Sequence, residues 1–228
     1  MAKTAIKGRG AVQALTALAV ASPLLVLLSI MGVRGGLLPV ETAYDLLTLK
    51  VAWWLSFAGA GAGVLAVIVA LKNFRALGFV AVGALVVSVA TLGGFVWQKG
   101  QLAAGPVENV STDLTDIPGF GDQRPDDMGQ GAAVGVEACP GALPVMTQIA
   151  PEGAVWAVQE SGFTLRRAGV ARVDGTRTTT WFGFGYDVVI RIRPGRTDVR
   201  VAARDARPHG GEACRLVTAI SADLRAGL

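Results

Sequence analysis

The chain has 228 residues, of which 52% are hydrophobic, and a mean hydropathy of +0.49, an average that soluble domains rarely reach. Its net charge of +4 divides into +5 over residues 1–97 (seven Lys/Arg, two acids) and −1 over residues 98–228 (fourteen Lys/Arg, fifteen acids). The net positive excess therefore flanks apolar sequence while the polar part is balanced by its acids, which argues against a nucleic-acid partner.

In chain order, residues 11–33, 51–71 and 76–97 are three uncharged apolar runs. Each has the roughly 20 residues that a helix needs to cross a bilayer core about 30 Å thick. They predict three transmembrane helices within a membrane domain of residues 1–98. For the first run a cleaved signal peptide is the alternative, since Lys3, Lys7 and Arg9 precede it and Ala19-Val20-Ala21 resembles a cleavage site. Apolar sequence continuing from Pro23 to Val33 favours a span.

Lys3, Lys7 and Arg9 lie on one side of such a bundle with Lys72 and Arg75, against Arg34, Lys50 and Lys99 with Glu41 and Asp45 on the other. The positive-inside rule then places the N-terminus in the cytoplasm and the C-terminal domain outside. Trp53, Trp54 and Trp97 fall at the same outer interface. Gly59 and Gly63 form a Gly-x-x-x-Gly pair, which suits close helix contact: packing within the chain, or a homodimer. The spans carry no ionisable residue, which argues against a transporter or pump.

Residues 99–141, rich in Gly, Pro and Asp, read as an extended acidic linker with an entry motif. Residues 142–228 read as a small α+β domain. A strand is expected at 143–149, then a helix from Pro151 to Glu160 that buries Val155, Trp156 and Val158. A second strand at 163–171 ends in an Asp174-Gly175 hairpin turn. From 178 to 193 residues alternate, with Phe182, Phe184, Tyr186, Val188, Ile190 and Ile192 on one face. Pro194-Gly195 turns the chain into a strand at 198–203, and a helix at 212–225 carries Leu216, Ile220 and Leu224. The order β-α-β-β-β-α predicts an antiparallel sheet with helices on one side.

Cys139 and Cys214 are the two cysteines. In an oxidising compartment such a pair forms a disulfide, here tying the domain entrance to the last helix. A metal reading is poor, because His209 alone could join them, and its Pro-His-Gly-Gly setting reads as a solvated turn. Asp113, Asp116, Asp122, Asp126 and Asp127 lack the spacing of a calcium loop and read as a solvated acidic loop, with Asp113 the exception. Residues 98–162 sum to −7 and residues 163–228 to +6. The simpler reading lays the acidic linker against a basic sheet face. The sharper one makes Arg191, Arg193, Arg200 and Arg204 a surface for anionic head groups or an acidic partner.

Residues 108–120, with Thr112-Asp113 followed by Pro118-Gly119-Phe120, resemble the entry motif of the uncharacterised family domain of unknown function 1499. Residues 178–194, with Trp181-Phe182 and Asp187, resemble its central strand, and residues 211–228 look like its last helix. The resemblance implies a bacterial envelope or plastid protein with membrane helices ahead of the domain. It implies no activity. The stretch 122–135 and the two cysteines depart from the pattern.

No nucleophile elbow, phosphate loop, dinucleotide fingerprint or HExxH motif occurs in the chain. The expectation is a non-enzymatic, multi-pass protein of the bacterial inner membrane, without cofactors or metal. Its periplasmic domain would serve as an interaction, scaffold or assembly module for an envelope protein partner, with membrane lipids around the helices. The second reading is a module for a lipid or other apolar ligand, held between sheet and helix by Phe182, Phe184 and Tyr186.

Overall fold

The computed structural model describes residues 8–103, 108–124 and 131–227. Lys3, Lys7, Asp126 and Asp127 lie outside the described residues. The chain divides into two compact units, Met1–Lys99 and Gly100–Leu228.

The first unit is helical: α1 (Arg9–Arg34), a π-helical segment (Glu41–Ala52), α2 (Trp53–Ala70), a 3₁₀ turn (Leu71–Asn73) and α3 (Phe74–Ala103). Two helical stretches are long and apolar enough to cross a bilayer, Arg9–Arg34 and a 62-residue run from Glu41 to Leu102. Three separate spans are therefore not found. Residues 51–71 and 76–97 belong to one run, because Ala70 and Phe74 on either side of the 3₁₀ turn keep right-handed helical dihedrals. That run doubles back. Trp53 and Phe95 rings stand 6.1 Å apart and Lys99 Nζ sits 4.1 Å over the Trp53 ring, where a straight helix would hold these residues about 60 Å apart.

Packing in this unit inverts the water-soluble pattern. Ala19, Ser22, Ser56, Gly59, Ala62, Gly63, Ala66 and Ser88 are buried, while Leu28, Leu65, Ile68, Phe79 and Val86 are exposed. Small residues bring the backbones together. A Cβ on Gly59 would sit 3.1 Å from the Ala19 carbonyl of α1, and one on Gly63 would sit 3.0 Å from the Leu85 Cα of α3. Both glycines of the Gly-x-x-x-Gly pair thus serve contacts within the chain. Buried hydroxyls bond to backbone carbonyls: Ser22 Oγ donates across helices to Ala52 O at 2.7 Å, and Ser56 to Trp53 O.

The second unit is α+β. Its five-stranded antiparallel sheet, in the order β1-β5-β4-β3-β2, comprises β1 (Asn109–Ser111), β2 (Thr164–Ala168), β3 (Arg172–Thr178), β4 (Gly185–Arg193) and β5 (Arg196–Ala203). Helix α4 (Pro151–Glu160) and helix α5 (Glu212–Ala226) share one core with it. Alternation decides the faces. Tyr186, Val188, Ile190 and Ile192 of β4 join Val199, Val201 and Ala203 of β5 in the core, beside Leu216, Val217, Ile220 and Leu224 of α5.

Several expectations are corrected. The element order is β-α-β-β-β-β-α: the first strand is Asn109–Ser111, in what reads as linker, residues 143–149 make a single bridge, Val145 to Thr197, and Arg172–Thr178 is an added strand. Asp174-Gly175 is mid-strand: the β2–β3 turn falls at residues 169–171, and a Cβ on Gly175 would meet Val158 at 2.8 Å. Trp156 is half exposed, and Ala154, Ala157 and Val158 form the buried face of α4. Strand β4 begins only at Gly185, so Phe182 precedes it. Pro194-Gly195 does turn β4 into β5, Arg193 pairing with Arg196 and Gly195 taking φ +73°.

Cys139 and Cys214 lie with their sulfurs at bonding distance and their Cα atoms 5.7 Å apart, joining residues 75 apart in sequence. Gly141 passes so close to α5 that a Cβ would overlap Thr218.

Candidate functional site

The second face of the sheet carries the odd residues of β4, the even ones of β5, and Asp174 and Thr176 of β3. Burial forces each acid here to find a partner. Residues 112–124 cross this face as a strap, so the acidic segment lies against the arginine-bearing side of the sheet. Thr112 extends the β1–β5 pairing: its N–H donates to Val199 O, and its Oγ1 accepts the Val199 N–H, both at 2.9 Å. Phe120 is fully buried with Val189 and Ala202, the Arg124 and Arg200 guanidiniums each 4.4 Å from its ring.

At one end the strap's acids meet the arginines of β4 and β5. Asp113 Oδ1 accepts the N–H groups of Thr115 and Asp116, which shapes the loop, while Oδ2 accepts from Arg193 Nη2 at 2.9 Å. Asp198, fully buried, accepts from Arg193 Nη2 at 2.5 Å and Arg196 Nε at 2.7 Å. Asp116 Oδ2 accepts from Arg191 Nη1 and Arg193 Nη1, both at 3.0 Å, and its side chain is 64% exposed. Burial pushes the Asp113 carboxyl up, but the Asp116 N–H, Arg193, the Thr115 N–H and Arg196 together hold it below the usual carboxylate range. Hydrogen bonds to Asp198 first, and then to Asp113, raise the Arg193 guanidinium.

Beside this cluster lies an open cleft of about 350 Å³. Ala171 and Val189 supply its apolar lining and Arg172, Arg191 and Arg193 its polar one; Ile192 borders it through its backbone, its N–H donating to Ala171 O at 2.8 Å, and Pro118-Gly119 of the strap completes it. Arg172 is held by Asp174 at 2.6 Å and by Phe120 O.

Of the four arginines expected on an interaction surface, Arg191 and Arg193 reach this cleft, partly exposed. Arg200 does not: it is buried, donating to Asn109 Oδ1 and Pro118 O. Arg204 forks onto Asp187, Nε at 2.9 Å and Nη2 at 2.7 Å, and Asp187 is fully buried with Gln123 and Arg124 nearby. Among the motif residues, Thr112, Asp113, Pro118, Phe120 and Asp187 all belong to the strap and its anchors. Trp181 is exposed, and Phe182 is buried 6.0 Å from Phe184.

The other polar cluster lies at the start of α5. Glu108, fully buried, accepts the N–H groups of His209 (3.0 Å), Gly211 (2.7 Å) and Ala213 (3.2 Å), where helix N–H groups have no intrahelical partner. Tyr186 Oη stands 3.3 Å from Glu108 Oε2 and 2.5 Å from His209 Nδ1. His209 Nε2 lies 3.0 Å from Asp205. His209 is therefore buried, stacked 4.0 Å from the Phe184 ring, and not a solvated turn. Burial first, then Glu108 and Glu212, drive the Tyr186 phenol far above its usual range, so it stays an O–H donor. The place expected to hold an apolar ligand is thus filled by Tyr186, Phe184 and His209.

Sequence reasoning missed Glu108 and His209 as partners, because two single polar residues 101 apart leave no periodic signal. Among the described residues, no group of three or more His, Cys, Asp or Glu is placed to hold a metal ion. Compared with known proteins, the chain matches no family model, no curated protein and no solved structure.

Proposed function

We propose that this chain is a multi-pass protein of the bacterial inner membrane whose C-terminal domain is a non-catalytic interaction module for an envelope protein. The observation that carries the reading is the open cleft beside Arg191 and Arg193, on a face otherwise closed by the strap. Each acid of that face is held by arginines or backbone, and such a rigid polar lattice suits recognition.

The inverted packing of the helical unit supports the membrane part. Large apolar side chains on the outside, with alanine, glycine and serine inside, are what helices in lipid require. Three passes follow if the Glu41–Leu102 run crosses twice, folding at Leu71–Asn73. Lys72 and Arg75 at that fold then join Arg9 on the cytoplasmic side, and the domain is periplasmic. An oxidising periplasm suits the Cys139–Cys214 pair. The resemblance to domain of unknown function 1499 belongs to the same proposal, supported by the way its entry-motif residues form one strap.

The test is site-specific photo-crosslinking from Ile117, an exposed strap residue, in native membranes. A discrete crosslinked protein of the envelope is expected. Recovery of the chain with no reproducible partner contradicts the module. The second reading, a lipid or apolar ligand, finds support in the apolar lining Ala171 and Val189. Mass spectrometry of lipids extracted with the purified chain tests it, and a stoichiometric lipid would favour it.

A further inference from the structure

We infer that the Asp116 carboxylate is a built-in stand-in for the carboxylate of an acidic peptide, which displaces it from Arg191 and Arg193 and lays a neighbouring aliphatic side chain in the adjoining cleft. The inference rests on the interaction-module reading and names the chemistry of its site.

Asp116 differs from the other acids of the face. Asp113 and Asp198 are buried and hold their arginines from beneath, whereas the Asp116 side chain is largely in solvent. Its main chain is fixed without it: the Asp116 N–H donates to Asp113 Oδ1 at 3.1 Å, and its carbonyl accepts from Arg191 Nη2 at 2.6 Å. The carboxylate can therefore leave its two arginines while the loop stays in place. An exposed ion pair of this kind contributes little to folding, so its displacement costs little.

Charge selects the ligand. With Asp116 withdrawn, Arg191, Arg193 and Arg196 face Asp113 and Asp198, an excess of one positive charge. Arg172 already has Asp174. One charge suits a carboxylate better than a phosphate, which carries nearly two at neutral pH. Two guanidinium N–H groups converging on one oxygen at 3.0 Å give the directional, charge-assisted contact that carboxylates favour. The resident segment shows the pattern: Asp116 is followed by Ile117, an exposed aliphatic residue, and the cleft beside the arginines has Ala171 and Val189 as its apolar lining.

The experiment is calorimetric titration of the full-length chain in lipid nanodiscs with acetyl-Asp-Ile-amide. An intramolecular competitor at millimolar effective concentration is removed in Asp116→Ala, so that variant should bind the peptide about tenfold tighter than the natural chain. Arg193→Lys in the Asp116→Ala background should abolish the gain, acetyl-Asn-Ile-amide should not bind, and inorganic phosphate should bind more weakly than the peptide. Equal affinity of the natural chain and Asp116→Ala, no binding to Asp116→Ala, or stronger binding of phosphate would each overturn the inference. A crosslinked partner whose yield ignores Asp116→Ala and Arg193→Lys would also overturn it while leaving the module reading intact. Peptide binding as stated, without any recovered partner, would support the site and count against the module reading alone.

Discussion

Glu108 and Gly211 stand 103 positions apart in sequence, yet the Glu108 carboxylate accepts the Gly211 N–H at 2.7 Å and so closes the first turn of the last helix. A negative group at a helix N-terminus satisfies free N–H donors and meets the positive end of the macrodipole. Glu108→Gln keeps one acceptor oxygen but loses the charge. Tyr186→Phe leaves Glu108 and His209 short of the phenol. Each should lower stability by about 1–3 kcal/mol, read from the domain's urea midpoint in the full-length chain. No change in either variant would remove Glu108 from its role.

The acid limb of stability should follow Asp113 and Asp205. Burial raises both carboxyls, but backbone N–H groups with arginine or histidine contacts leave each below the usual range in the folded chain. Above the unfolded value near ~4 both are ionised in either state and their contribution is complete. As pH falls below that, the unfolded chain takes up protons first, so the contribution is lost with acid. Thermal melts from about pH 6 down to about pH 3 should show a steeper fall for the natural chain than for Asp113→Asn.

The elements readable in the sequence were those with a repeated signal. Pro151–Glu160 has its proline at the first turn, α5 has Leu216, Ile220 and Leu224 on one face, and β4 alternates from Tyr186 to Ile192. Elements built on single contacts stayed hidden. Three residues, Asn109–Ser111, are too short to show a period, yet they open the sheet because β5 pairs with them. Asp174-Gly175 has turn chemistry, but packing under Val158 and Phe163 requires a glycine mid-strand. The cleft was not visible because it depends on where the strap crosses β4.

The disulfide should matter more than any single hydrogen bond. Closing a loop of 75 residues stabilises by about 4 kcal/mol in the chain-entropy model. Alkylation followed by mass spectrometry should find both cysteines oxidised in native protein, and reduction should move the unfolding midpoint strongly downward. Free thiols in the native chain would contradict the pairing.

Within the helical unit, glycine positions separate packing from chance. Gly63→Leu should destabilise the purified full-length chain by about 1–3 kcal/mol through overpacking against Leu85 and Ser88. Gly61→Leu, which meets nothing within 4 Å, should not. Thermal melts in detergent compare the two. Equal effects would mean that α2 and α3 do not meet at Gly63.

The central claim is that lipid surrounds the outward-facing side chains of residues 9–102, and alkaline carbonate extraction of cell membranes tests it most directly. The full-length chain should remain in the pellet after ultracentrifugation and enter solution only with detergent. Its release into the supernatant by carbonate alone would contradict the anchored architecture, and with it the proposed periplasmic role.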